Sequence, residues 1–199
     1  MRLVLASTSP YRNRLLGRLG IPFEACAPDL DEAPFKDRGL APEELVRTLA
    51  REKARSLTAR FPGALILGGD QAAEIDSRIL DKPGTAARAR EQLRLLSGRT
   101  HRLLTAVALL RPGDGRLEEA LEIHALTLRA LSDAQIARYV EVDSPLDCAG
   151  SYRIEGAGIA LFREIRGGDP TAIEGLPLTR VMELLSRMGF DAWPTTGSR

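Results

Sequence analysis

Short apolar runs alternate with amphipathic stretches along the chain, the pattern of strands interleaved with surface helices around a sheet. Residues 2 to 6 read as a strand. Ser9-Pro10 supplies an N-cap followed by a proline at the first helical position, which predicts a helix to about Leu19, stopped by Gly20. A strand near Phe23 to Ala27 leads into a loop rich in Asp and Pro, from Pro28 to Ala41. Pro42-Glu43-Glu44 opens a long helix with acids in its first turn, where the helix dipole favours them, and the helix runs to Phe61. A strand at Leu65 to Leu67, another at Ala72 to Ile75 and a turn at Asp76-Ser77 follow, and Thr85 caps a helix to about Leu96. Residues 102 to 110 and 118 to 130 read as a hairpin around Pro112-Gly113-Asp114-Gly115, and Ser132-Asp133 caps a helix to about Val142. Gly, Pro and Asp dominate from Asp143 to Pro177, with a strand predicted at Ile159 to Ile165 and a last helix from Leu178 to Met188. The sum is an α/β (α+β) fold: a mixed, twisted central sheet flanked by helices. With no internal repeat, low-complexity segment or long linker, residues 1–199 form one domain, with a frayed tail from about 194 to 199.

Composition narrows the function classes. At 199 residues the chain can bury a substantial core, and 28 basic against 27 acidic side chains give no general attraction to nucleic acid or an anionic membrane. Any positive potential must be local. Cys26 and Cys148 are too few and too far apart for a disulfide framework or a Cys-based zinc site, which fits a reducing cytosol. No run approaches a signal peptide or a membrane span, so the expected location is cytoplasmic. There is no Walker-type loop and no Rossmann fingerprint, and His101 and His124 lack the spacing of a metal pair.

Candidate chemistry starts at Asp70, which follows the apolar run Ala64 to Leu67 and two glycines, Gly68-Gly69. An acid at the end of a strand that brings its backbone close to something is placed where a charge is costly. Ser7-Thr8-Ser9-Pro10-Tyr11-Arg12 combines a helix start, the hydroxyls of Ser7 and Ser9 and the planar fork of Arg12, a set suited to phosphate. In the acidic loop Asp29-Leu30-Asp31-Glu32, Glu32 together with Asp70 would suffice for a magnesium-like ion, which takes one or two carboxylates plus water and phosphate oxygens. Lys53 falls within the apolar stripe Val46, Leu49, Ala50, Ala54 and Leu57, so its ammonium needs a partner, and Lys82 sits in a tight loop before Pro83-Gly84. Each alone is also what an ordinary cap, a solvated acid or a turn lysine would give.

Taken in order, Leu5-Ala6-Ser7-Thr8-Ser9-Pro10, Gly68-Gly69-Asp70-Gln71, Asp81-Lys82-Pro83, Leu146-Asp147-Cys148-Ala149-Gly150-Ser151-Tyr152 and Gly175-Leu176-Pro177-Leu178 resemble the Maf family of nucleoside triphosphate pyrophosphatases, and within it the branch acting on 7-methyl-GTP. The resemblance implies a two-lobed, inosine-triphosphatase-like fold around a cleft, and hydrolysis between the α and β phosphates with a divalent cation, Mg2+ or Mn2+. It further implies a nucleoside triphosphate as the partner molecule and a homodimer. By the same resemblance Asp70 matches the catalytic base and a metal ligand, Glu32 the second metal acid, and Ser7, Ser9, Arg12, Lys53 and Lys82 the phosphate-binding set. Tyr11 stands where the family often has an arginine, and with Gln71 and Glu155 it matches the substrate-specificity positions of that branch. Because N7 methylation makes guanine cationic, an aromatic ring at Tyr11 could stack on it and Glu155 could accept from its N1–H and N2–H edge. Thr100-His101 is more like the branch acting on dTTP and UTP, so that activity is the alternative. A nucleotide-binding regulator of cell division is a further one.

Overall fold

The computed structural model describes residues 1–193; the tail expected at 194–199 lies outside them. The strands are β1 (Arg2–Ala6), β2 (Phe23–Cys26), β3 (Ala64–Ile75), β4 (Arg78–Leu80), β5 (Thr100–Arg111), β6 (Arg116–Leu128) and β7 (Phe162–Arg166). The helices are α1 (Pro10–Gly17), α2 (Ala33–Lys36), α3 (Pro42–Arg55), α4 (Ala86–Leu96), α5 (Asp133–Asp143) and α6 (Leu178–Arg187). The strands form one mixed seven-stranded sheet in the order β2-β1-β3-β5-β6-β7, with β4 on β3. Pairing is parallel among β2, β1 and β3 and antiparallel elsewhere. The fold class expected from the sequence is therefore the one found.

The strand β3 differs from expectation. Instead of a strand ending before Gly68 and a second beginning at Ala72, a single strand runs from Ala64 to Ile75, and Asp70 lies in its middle. Antiparallel pairing with β5 from Ile66 to Glu74 carries the backbone straight through the glycines. With β5 on one edge, β1 and β4 share the other. There β1 pairs as far as Gly68 and β4 begins at Ala73, so Gly69 to Ala72 face a gap. Glycine is required at 68 because α3 packs directly on this strand: a Cβ there would collide with the Ala50 carbonyl oxygen and lie 2.9 Å from the Ala54 nitrogen.

Successive strand residues point to opposite faces. On one face, Val46, Ala50 and Ala54 of α3 pack on Ile66, Ala72, Leu104 and Ala106. The other face carries two clusters, α1 and α6 against Leu65, Leu67, Val107 and Leu109, and α4 and α5 against Ala73, Leu103 and Leu126. Each fully buried leucine contributes about 1.5–3 kcal/mol. The segment predicted as a strand from Ile159 to Ile165 is a 3-10 helix, Ala157–Leu161, and then β7. The Asp143 carboxylate accepts from the Ala157 and Gly158 amides at 3.2 and 2.9 Å and stabilises the helical turn.

Candidate active site

A cleft of about 620 Å³ opens at the gap in β3, lined by the start of α1, by Glu32, Lys53, Asp70, Lys82 and Glu155, and by the segment 173–175. Asp70 and Gln71 are neighbours in one strand, so they serve opposite faces: Asp70 lies across from Ala106, on the α3 side, and Gln71 across from Thr105.

On the α3 side, Lys53 comes off the buried stripe of α3 and is itself buried. Its ammonium donates to Asp70 Oδ1 at 2.6 Å and sits 2.8 Å from Glu32 Oε1. A single cation thus reaches both carboxylates, although they are 38 residues apart in the chain. Asp31 is diverted, because its carboxylate caps the Ala33 amide at 3.0 Å; Glu32 makes no such cap and is left for the cleft. Burial raises the Asp70 carboxyl above its ordinary value, while Lys53 and Arg12 pull it back. Burial also works to raise Glu32, but the charges of Lys53, Lys36 and Lys82 together outweigh it and hold the group below its ordinary value. Burial likewise lowers the Arg12 guanidinium, opposed by Asp70 and Glu32, yet an arginine keeps its proton. Two carboxylates are a donor set a magnesium-like cation accepts, with other positions left to water and phosphate, and here the Lys53 ammonium engages one oxygen of each. Among the described residues no group of three or more His, Cys, Asp and Glu could hold a metal.

At the start of α1, Ser9 caps the helix by accepting from the Arg12 amide at 3.4 Å, and the buried Ser7 hydroxyl accepts from the Ser9 amide at 3.1 Å. Arg12 donates through Nε to the Gly175 carbonyl at 2.9 Å, which fixes the guanidinium at the cleft wall. Lys82 is exposed at the cleft mouth.

Across the sheet the contacts change. Gln71 Nε2 donates to Thr105 Oγ1 at 2.9 Å and to the Ala172 carbonyl at 2.8 Å, and Thr105 donates to that same carbonyl at 2.9 Å. Tyr11 donates to Asp147 at 3.3 Å, its hydroxyl pushed up to about 12 by burial and by Cys148. The guanidinium carbons of Arg153 and Arg14 lie 5.5 and 5.7 Å from the Tyr11 ring centroid, within cation–π range. Glu155 lies 3.6 Å from Arg14 and 3.9 Å from Arg153.

The structure therefore brings Ser7, Ser9, Tyr11, Arg12, Glu32, Lys53, Asp70, Gln71, Lys82 and Glu155 to one cleft. Sequence reasoning missed Lys36, which bridges Glu32 and Asp81, Glu174, and the Gly175 carbonyl that holds Arg12. Glu174 carried a usable signal, since it directly precedes the Gly175-Leu176-Pro177 motif.

The family model described as Maf-like protein matches residues 2–188. The chain belongs to the Maf-like family. A protein of Xanthomonas oryzae pv. oryzae (strain MAFF 311018) named 7-methyl-GTP pyrophosphatase is 49% identical over 95% of this chain and 97% of its own length. A protein of Pseudomonas aeruginosa with the same name is 46% identical over 95% of this chain and 97% of its own. Among solved structures, a HAM1 protein from Coxiella burnetii superposes with a TM-score of 0.51 over 94% of this chain and 99% of that one; at 17% identity this likeness shows the fold. No helix among the described residues of this Maf-like chain is long and apolar enough to cross a membrane.

Proposed function

We propose that this Maf-like protein hydrolyses 7-methyl-GTP between its α and β phosphates, giving the nucleoside monophosphate and pyrophosphate. The observation that carries the reading is the triad at the gap in β3, where one buried ammonium lies between Asp70 and Glu32 beside the Arg12 fork. The names of relatives nearly half identical in sequence support the same activity and the same substrate.

In this mechanism Asp70 accepts the proton of the water that attacks the α-phosphorus. Its raised basicity suits that role, because a carboxylate with ordinary affinity for protons is a weak base at neutral pH. Glu32 and Asp70 would hold a divalent cation, Mg2+ or Mn2+, which would supply positive charge to offset that on the phosphate oxygens. Lys53 orients the Asp70 carboxylate, Arg12 and Lys82 stabilise charge on the pyrophosphate leaving group, and Ser7 and Ser9 shape the turn against which the phosphates lie. Tyr11, Gln71 and Glu155 line the end that takes the base. The reading includes a homodimer in the cytoplasm.

The test is a substrate panel of 7-methyl-GTP, GTP, dTTP and UTP with Mg2+, with separate detection of pyrophosphate and orthophosphate. Highest kcat/KM on 7-methyl-GTP with pyrophosphate release is expected. A ranking led by dTTP or UTP would move the protein to the pyrimidine activity, and tight binding without turnover would make it a regulator.

A further inference from the structure

We propose that Glu174 is a second specificity residue that acts with Glu155 to select a positively charged purine base, and that Arg14 is the internal cation occupying this carboxylate pair when nucleotide is absent. The inference rests on the 7-methyl-GTP reading and deepens it. Glu174 lies between two pinned points: Gln71 and Thr105 hold the Ala172 carbonyl on one side, and Arg12 holds the Gly175 carbonyl on the other. The backbone at 174 is thereby fixed in part to Gln71 and Arg12, which line the cleft, and Glu174 and Glu155 line it with Tyr11.

Arg14 ties these groups together. Its Nη2 lies 3.3 Å from Glu174 and 3.6 Å from Glu155, and its guanidinium carbon is 5.7 Å from the Tyr11 ring centroid. An aromatic ring with two carboxylates around one planar cation is the arrangement that recognises an alkylated, positively charged ring. The 7-methylguanine base is such a ring; it offers N1–H and N2–H donors to a carboxylate as well as its charge. Guanine offers the same donors without the charge, and a pyrimidine offers fewer; in the free protein Arg14 spans both carboxylates, with Arg153 beside Glu155 at 3.9 Å and Arg18 beside Glu174 at 3.8 Å. The grip on Arg14 is loose. Its separations exceed the 2.7–2.9 Å typical of a tight charge-assisted hydrogen bond, and its side chain is 55% exposed, so it can turn to solvent as the base enters.

Steady-state kinetics of Glu174→Gln and Arg14→Gln on 7-methyl-GTP and GTP test this, with melting temperatures recorded for both. In Glu174→Gln the ratio of kcat/KM for 7-methyl-GTP over GTP is expected to fall about tenfold, through a higher KM for the methylated substrate. In Arg14→Gln the ratio is expected to rise about threefold, because a competing cation is gone. Opposite signs cannot both come from general destabilisation. An unchanged ratio in Glu174→Gln, or a lowered one in Arg14→Gln, would overturn the assignment while leaving the pyrophosphatase reading intact. A wild-type protein that does not prefer 7-methyl-GTP over GTP would instead sink the substrate reading and this assignment together.

Discussion

The two ends of the cleft are built differently. On the α3 side of β3, Lys53 and Asp70 are buried, with side chains 9% and 12% exposed, and the ion pairs measure 2.6 and 2.8 Å. At the other end, Glu155 and Glu174 face arginines at 3.3 to 3.9 Å, and those arginines reach into solvent. The first arrangement is rigid because α3 packs on a glycine of β3 with no room to move. The second hangs from side chains on α1 and on irregular segments around 153–155 and 172–175. The difference matches the division of labour in the proposed reaction. Attack on phosphorus needs atoms held in place before the reaction. Discrimination among bases needs groups that accept one ligand and stay satisfied without it.

Replacing Asp70 by Asn strikes the rigid end and carries the largest expected effect. A general base contributes about 10²–10⁴-fold, so kcat should fall by about 10³ while circular dichroism stays unchanged. Near wild-type turnover would remove Asp70 from the base role. Lys53→Gln should come next. Removing one partner of a buried ion pair costs about 3 kcal/mol, read as a lower denaturation midpoint in urea. The same variant moves the pH profile. A base works deprotonated, so kcat/KM falls as pH drops through the raised Asp70 value; with the downward pull of Lys53 removed, that acid limb should shift to higher pH. A stationary acid limb would show that Lys53 does not govern Asp70. Gly68→Ala tests the packing that makes this end rigid. The added methyl must push α3 and Lys53 off the strand, at about 2 kcal/mol of stability and with reduced turnover on every substrate alike. Glu155→Gln touches the adaptable end and should spare stability, lowering the preference for 7-methyl-GTP over dTTP about tenfold. If it instead lowered turnover of both substrates equally, the division between the ends would fail.

Away from the cleft, burial pushes His101 down to about 4, and its Nε2 hydrogen-bonds Tyr152 at 3.0 Å. The unfolded chain takes up the proton near pH 6.5 but the folded one near pH 4. Stability should therefore decline as pH falls across that interval, and His101→Gln should blunt the decline in a series of thermal melts.

Legibility in the sequence followed the physics of each residue. Lys53 could be found because a charge in an apolar helical stripe is conspicuous, and the Ser9-Pro10 start of α1 because caps are local chemistry. The gap beside Asp70 could not be found this way. Glycines at 68 and 69 argue locally for a strand end, whereas long-range pairing with β5 overrides that preference and leaves the edge bare through the shortness of β1 and β4. The 3-10 turn at Ala157–Leu161 depends on a carboxylate from α5, more than a dozen residues earlier. Lys36 falls in the stretch Pro28 to Ala41 that the sequence reads as a loop, where nothing periodic marks a residue that turns back into a cleft, and Glu174 is marked only by its place before Gly175-Leu176-Pro177.

Hydrolysis of 7-methyl-GTP in ¹⁸O-labelled water, with both products analysed by mass spectrometry, tests most directly whether water attacks the α-phosphorus. The label should appear in the nucleoside monophosphate. Label in the pyrophosphate would mean attack at the β-phosphorus and would contradict the proposed cleavage between the α and β phosphates by attack at the α-phosphorus.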